Sequence, residues 1–269
     1  MQPQRFKHSL EEIEKWAEYY NNDHTLTETS EHFNVPYKTI ANLLIKLGYR
    51  KPSRQVTKIR RLNAENIPYF KDIDSHEKAY FLGLLFSDGY ICTKTSSKVT
   101  GITVQLQDEY IIKYLYSALQ LKTKLNYYKN SVKLYVTNKG MYEDLVSHGM
   151  IENKSHSEYH FPQIPKEFYN SFILGYFDGD GCITIKSSGA IVVSICGNSK
   201  TFLGELQEVL KDEFQIESRL KQEMKPSGNY LYVLYLRGRK NQLKFKDIMY
   251  KDSPIFLTRK HDKFMKIPC

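Results

Sequence analysis

Phe81-Leu82-Gly83-Leu84-Leu85-Phe86-Ser87-Asp88-Gly89 has a counterpart later in the same chain, Ile173-Leu174-Gly175-Tyr176-Phe177-Asp178-Gly179-Asp180-Gly181. Each stretch is an apolar run with one internal glycine that closes on Asp-Gly and leads into a strand-like segment. A run that is apolar all round reads as a buried helix, and Asp-Gly reads as its stop. The chain thus carries, twice, an apolar helix that ends in a carboxylate.

The elements downstream of each stretch repeat as well. After a helix over 75–88 come strands at 90–93 and 101–107, a helix over 108–119, strands at 124–129 and 132–137, and a helix over 139–148 closed by Gly149. Residues 151–164 are polar, include Pro162 and run up to Pro165, so they read as a linker. The same order then returns: helix 166–180, strands 182–187 and 190–196 around Ser188-Gly189, helix 200–214, strands 217–223 and 230–237 around Pro226-Ser227-Gly228, and helix 241–250. This is an internal structural repeat with little identity outside the motif. It gives an α+β chain with two pseudo-symmetric αββαββα half-domains at 76–150 and 165–269.

Upstream of the repeat the pattern is helical only. Ser9 with Glu12 makes a capping box for a helix over 9–22, whose face is Ile13, Trp16, Ala17 and Tyr20. A second helix is expected from Thr27 to Phe33, with Ser30 and Glu31 near its start. Asn34-Val35-Pro36 makes a turn, and a third helix over 37–47 ends at Gly48. Three helices with a tight turn between the last two fit the helix-turn-helix plan, which makes 1–52 a candidate DNA-binding domain that offers Tyr37, Lys38, Thr39, Asn42 and Lys46. Residues 53–75 then form a basic linker. The run Arg50, Lys51, Arg54, Lys58, Arg60 and Arg61 contains no acidic residue and suits phosphate tracking.

Composition narrows the function classes. With 41% hydrophobic and 26% charged residues, the 269-residue chain can build a real core. Its apolar runs are too short to cross a bilayer. The start lacks a signal-peptide core, and Glu11, Glu12 and Glu14 argue against a transit peptide. The expectation is an intracellular protein, in a bacterial or phage-host cytoplasm or an organelle. Cys92, Cys182, Cys196 and Cys269 lack metal-site spacing and read as buried free thiols. A net charge of +9 favours a polyanionic partner. No Walker-type glycine loop and no catalytic triad is evident.

The paired stretches, spaced as they are and trailed by the same strands, resemble the signature of the LAGLIDADG homing endonucleases in their single-chain, two-motif form. The likeness runs over about residues 76–265 and takes in the tail Ile255–Phe264. It implies two saddle-shaped antiparallel sheets. It also implies that Asp88 and Asp180 are ligands of Mg²⁺ (or Mn²⁺), helped by the carbonyls of Ser87 and Gly179. A basic residue near the end of each last strand, Lys139 and Lys240 (or Arg239), would polarise phosphate or solvent. A polar residue near the end of each second strand, Gln107 and Asn198, would position water. The first copy departs from the pattern, with Phe86 where the second keeps Asp178.

The physics agrees with that chemistry. Gly83 with Ser87, and Gly175 with Gly179, give small faces on which two helices can approach closely. Two carboxylates beside two helix C-termini concentrate negative charge, and a hard divalent cation compensates it. Such a cation can activate water and stabilise a pentacoordinate phosphate. On the sheets, every second residue would face the major groove. Candidates are Lys94, Lys98, Gln105, Lys129 and Lys133 in the first half, and Lys186, Arg219, Lys221, Gln222, Tyr230, Tyr232 and Arg237 in the second. The alternation alone leaves open which set faces out.

The leading expectation is a monomeric, metal-dependent endonuclease making a double-strand break in a long asymmetric DNA site, as in intron or intein homing. The rivals are an intron RNA maturase and a nuclease-inactive DNA-binding transcription regulator on the same scaffold. Retention of both aspartates argues against the regulator and leaves the maturase open.

Overall fold

A computed structural model describes residues 8–22, 24–49, 68–94, 99–121, 124–224 and 230–267. The basic run from Arg50 to Arg61, with Arg54 and Arg60 in it, lies outside the described residues, as do Lys98, the Pro226–Gly228 turn, Cys269 and the side chain of Lys94. The chain divides into two compact units, 1–63 and 64–269.

In the first unit α1 (Leu10–Asn21) opens on the expected box, with Ser9 Oγ accepting from Glu12 N–H. The cap of α2 (Leu26–Phe33) is Thr25, not a residue at 27–31: Thr25 and Glu28 form a second capping box. The placement at Thr27 misses the S/T-x-x-E pattern two residues upstream. Asn34 adopts the left-handed conformation (φ 50°) that turns the chain into α3 (Tyr37–Lys46). Ile13, Trp16, Ala17, Leu26, Ile40, Ala41 and Leu44 form this unit's own core. Tyr37, Lys38, Asn42 and Lys46 are exposed, and Thr39 is half-buried.

The second unit is built on two helices, α4 (His76–Asp88) and α7 (Tyr169–Asp180), buried over most of their length. Between them in sequence come β1 (Gly89–Lys94), β2 (Val99–Leu106), α5 (Glu109–Ala118), β3 (Asn126–Tyr128), β4 (Ser131–Thr137) and α6 (Lys139–Ser147). After α7 come β5 (Gly181–Ile185), β6 (Ile191–Gly197), α8 (Lys200–Asp212), β7 (Ser218–Met224), β8 (Tyr230–Leu236), α9 (Gly238–Met249) and α10 (Thr258–Met265). The four-stranded sheets have the same antiparallel order, β1-β2-β4-β3 and β5-β6-β8-β7. The repeat is therefore structural as well as sequential. Among the described residues no helix is long and apolar enough to cross a membrane.

The two central helices touch backbone to backbone. A Cβ on Gly83 would lie 2.0 Å from Phe172 O, and one on Gly175 would lie 1.9 Å from Tyr80 O. One on Gly179 would meet Ser87 Oγ at 2.0 Å. The expected small faces are thus the contact itself. Aromatic rings close around it, and Phe86 packs on Phe172, Phe202 and Tyr159.

Burial settles the strand faces. Val132, Leu134 and Val136 point to the helices, as do Ile102, Val104 and Leu106. Thr103, Gln105, Ser131, Lys133 and Tyr135 therefore point away from the helices. In the second sheet Arg219, Lys221 and Tyr235 share the outward face through the pairs Arg219↔Tyr235 and Lys221↔Val233. Gln222, Tyr230 and Tyr232 alternate to the other side, where Tyr232 packs on the core while Gln222 and Tyr230 are exposed. Of the thiols, Cys92 is buried as expected, while Cys196 is half-buried and Cys182 exposed.

Candidate active site

The motif helices end side by side, so their terminal aspartates converge. A Cβ on Gly179, the residue before Asp180, would lie 2.8 Å from Asp88 Oδ2. Asp88 is exposed as a residue, yet the protein packed about its carboxyl pushes its pKa above the ordinary carboxylate range; Lys154, Lys260 and Arg259 pull the other way. Among the described residues no hydrogen bond reaches the Asp88 carboxylate.

The last carbonyls of each helix find an unexpected partner. Lys154 Nζ donates to Leu85 O (2.9 Å), Phe86 O (2.6 Å) and Ser87 O. Lys260 Nζ donates to Phe177 O (2.6 Å), Asp178 O (2.7 Å) and Gly179 O (3.3 Å). The three acceptors hold equivalent places in the two motifs, so one ammonium caps each helix C-terminus. Leu85 O and Phe177 O also accept from the cap residues Gly89 and Gly181, the later carbonyls lie past the last intrahelical donors, and a cation there meets the negative end of the helix dipole. Burial lowers the pKa of both lysines to about 8, against the upward pull of Asp88 and Asp180.

Sequence reasoning places the basic residues elsewhere, and strand direction corrects it. Gly89 pairs with Val104 and Val104 with Leu134, so β4 runs parallel to β1, away from Asp88. Lys139, past the end of β4, therefore lies at the remote end of the sheet, exposed and ion-paired with Glu143 at 2.8 Å. By the same register β8 runs away from Asp180, which puts Arg239 and Lys240 in α9 at the remote end of the second sheet. Arg237, which leads into α9, lies at that end too.

Gln107 and Asn198 keep their expected place. Each comes just after the end of a second strand, at the edge of the sheet nearer its aspartate. The registers Gly89↔Val104 and Gly181↔Ile195 make the two residues equivalent, with Gln107 exposed and Asn198 half-buried. Gln105 and Lys133 are paired and stand level with Asp88; Lys221 and Cys196 stand level with Asp180. Lys186 and Arg219 are exposed.

Among the described residues no cluster of three His, Cys, Asp or Glu side chains could hold a metal. The donors that do converge are hard oxygens: two carboxylates and helix-end carbonyls. Such a set fits a cation that keeps waters and takes phosphate oxygens as further ligands. The carbonyls of Ser87 and Gly179 already accept from the lysines.

Comparison with known proteins agrees with the fold. Residues 167–250 match the family described as LAGLIDADG-like domain. The structure of the homing endonuclease I-WcaI bound to its DNA recognition sequence superposes with a TM-score of 0.53 at 12% identity, over 80% of this chain and 94% of that one. A mesophilic variant of the homing endonuclease I-DmoI gives 0.50 at 18% identity, over 72% and 96%. A curated relative, the probable translation initiation factor IF-2 of Methanocaldococcus jannaschii, is 29% identical over 181 residues. That match takes in 63% of this chain and 14% of the factor, so the chain spans a small part of its relative's length. With two copies of the motif helix, two sheets of one topology and these matches, residues 64–269 have the LAGLIDADG homing endonuclease fold, and residues 167–250 carry a LAGLIDADG-like domain.

Proposed function

We propose that the chain is a DNA endonuclease that uses a divalent cation, Mg²⁺ or Mn²⁺, to hydrolyse one phosphodiester in each strand of a long asymmetric site. The observation that carries this reading is the meeting of Asp88 and Asp180 at the ends of two touching helices, each with a lysine ammonium on its last carbonyls. Asp88 and Asp180 would hold the cation, which supplies a polarised water and stabilises charge on the phosphate. In hydrolysis the water oxygen bonds to phosphorus, one P–O ester bond breaks, and the leaving oxygen takes a proton. Lys154 and Lys260 sit where negative charge grows and oppose it from preorganised positions. Gln107 and Asn198 orient water from the sheet edges.

The DNA would lie on the outward strand faces, where Gln105, Lys133, Lys186, Arg219 and Lys221 supply base and phosphate contacts. Because the two halves differ, the site is asymmetric and one chain suffices. The three-helix unit would read further bases with Lys38, Asn42 and Lys46. Selection of cleaved molecules from a randomised duplex library with Mg²⁺, beside the Asp180→Asn protein, tests the reading. Recovery of one long motif only with the wild type supports it; binding of a motif without cleavage overturns the nuclease and favours a DNA-binding regulator.

A further inference from the structure

Both lysines arrive on segments that run outside the repeated elements, and each segment is fastened to the half opposite the helix it caps. Lys154 caps α4 of the first half. Its segment is pinned to the start of α8 in the second half, where Glu158 accepts from Ser199 Oγ (2.8 Å), Thr201 N–H (2.9 Å) and Lys200 N–H (3.3 Å). Tyr159 N–H donates to Ser199 Oγ (3.2 Å), and Phe161 N–H to Glu205 (2.6 Å).

Lys260 caps α7 of the second half. Its segment is pinned to the start of α5 in the first half, where Tyr110 Oη donates to Phe256 O (2.8 Å) and accepts from Thr258 N–H (2.8 Å). Arg259 Nε donates to Asp108 at 3.0 Å. Leu257 N–H donates to the buried Asp178 carboxylate (2.7 Å), which also accepts from Tyr80 Oη of α4 (2.8 Å). Asp108 and Ser199 are equivalent positions, each leading from a second strand into the next helix.

We infer that these two segments are crossed straps, in which Asp108 and Tyr110 position Lys260 and Glu158 positions Lys154, each strap serving one of the two scissile phosphates. The division between phosphates rests on the nuclease reading; the positioning does not. The physical content is that an ammonium held by three carbonyls stays there only while its backbone is docked. Undocking exposes it by local opening rather than by global unfolding.

Two readouts on the full chain test this. The first is amine-reactive labelling read by mass spectrometry, with neither DNA nor metal present. Lys260 is 6% exposed and should label slowly in the wild type. Asp108→Asn with Tyr110→Phe should speed its labelling roughly tenfold, through the loss of the charge-assisted Arg259 bond and the neutral bonds of Tyr110, and leave Lys154 unchanged. Glu158→Gln should do the reverse. Exchange of the charged pair, Asp108→Arg with Arg259→Asp, should restore protection of Lys260 relative to Asp108→Arg alone.

The second readout is strand-specific nicking of bound target at saturating enzyme. Each strap variant should slow one strand and accumulate nicked product, with the other variant slowing the opposite strand. Equal labelling of both lysines, or no change in either, overturns the positioning. Equal slowing of both strands, with labelling as expected, overturns the division between phosphates. A wild type that cuts nothing overturns the nuclease reading and leaves the labelling result to decide the straps.

Discussion

Gly175→Ala should be far more damaging than an alanine in a helix usually is. The new Cβ would lie 1.9 Å from Tyr80 O, 2.8 Å from Tyr80 C and 2.9 Å from Leu84 N, all backbone atoms of the partner helix. No rotamer change can relieve that, because neither side has a flexible end to move. To reach ordinary contact the helices must part by about 1.5 Å at the crossing, an overpacking cost of about 3 kcal/mol or more. The same substitution at Gly204, in α8, meets nothing within 4 Å and should stabilise by roughly 0.5–1 kcal/mol through helix propensity. The pair differs in nothing but the neighbour.

Guanidinium unfolding tracked by far-UV circular dichroism measures the difference. Trp16, the chain's single tryptophan, sits in the other unit's core, and its fluorescence should report an unchanged transition for both variants. If Gly175→Ala unfolds at the same denaturant concentration as Gly204→Ala, the helices do not touch where the structure puts them. The placement of Asp88 beside Asp180 would fall with that contact.

Asp88→Asn and Asp180→Asn should each abolish cleavage with Mg²⁺ while leaving DNA binding within about threefold, a difference under 1 kcal/mol by gel shift; cutting at the wild-type rate by either would refute a shared cation. Burial brings Lys260 down to about 8, so between pH 8 and its unfolded value near 10.5 the unfolded chain binds the extra proton. Stability therefore rises with pH across that window, and Lys260→Met should flatten the rise in a series of denaturation curves. A slope equal to that of the wild type would show the lysine is not held as described. Deleting residues 1–49 should shorten the DNA footprint and weaken binding without removing chemistry, and an unchanged footprint would mean the three helices do not read DNA.

The motif helices are legible in the sequence because their signals are local and doubled. A glycine in an apolar run and a closing Asp-Gly are visible residue by residue, and Gly83, Gly175, Asp88 and Asp180 fall where expected. Lys139 and Lys240 fail for a topological reason. Strand order β1-β2-β4-β3 makes the fourth strand parallel to the first, so its end points away from the aspartate. Sequence shows the strands but not which end of the sheet each one leaves by.

Lys154 and Lys260 escape a sequence reading because the segment around 154, which reads as a linker, has no periodicity to mark what it buries. A signal is nonetheless present. Both motif helices lack a basic residue in their last turn, and the cap glycines Gly89 and Gly181 reach only Leu85 O and Phe177 O, so the carbonyls that follow need donors from elsewhere in the chain. A lysine in a connecting segment is the natural supplier.

The straps also explain why the two motif copies differ at one place. Phe86 and Asp178 are equivalent, two residues before their aspartates, and each lies beneath the strap whose lysine caps its own helix. Phe86 meets Tyr159 of one strap ring to ring, at 6.1 Å between centroids. Asp178 meets the other strap through Leu257 N–H, at the point where α10 begins. A carboxylate at position 86 would gain nothing comparable, since Tyr159 N–H is already taken by Ser199. It would instead be buried among Phe172, Phe202 and Tyr159, where an unpaired charge is costly. Asp178 bears part of that cost itself: burial lifts its pKa to about 6, and Oδ1 has no partner among the described residues. The acidic residue is retained where a strap offers it an N–H, and replaced by an aromatic ring where the strap offers a ring.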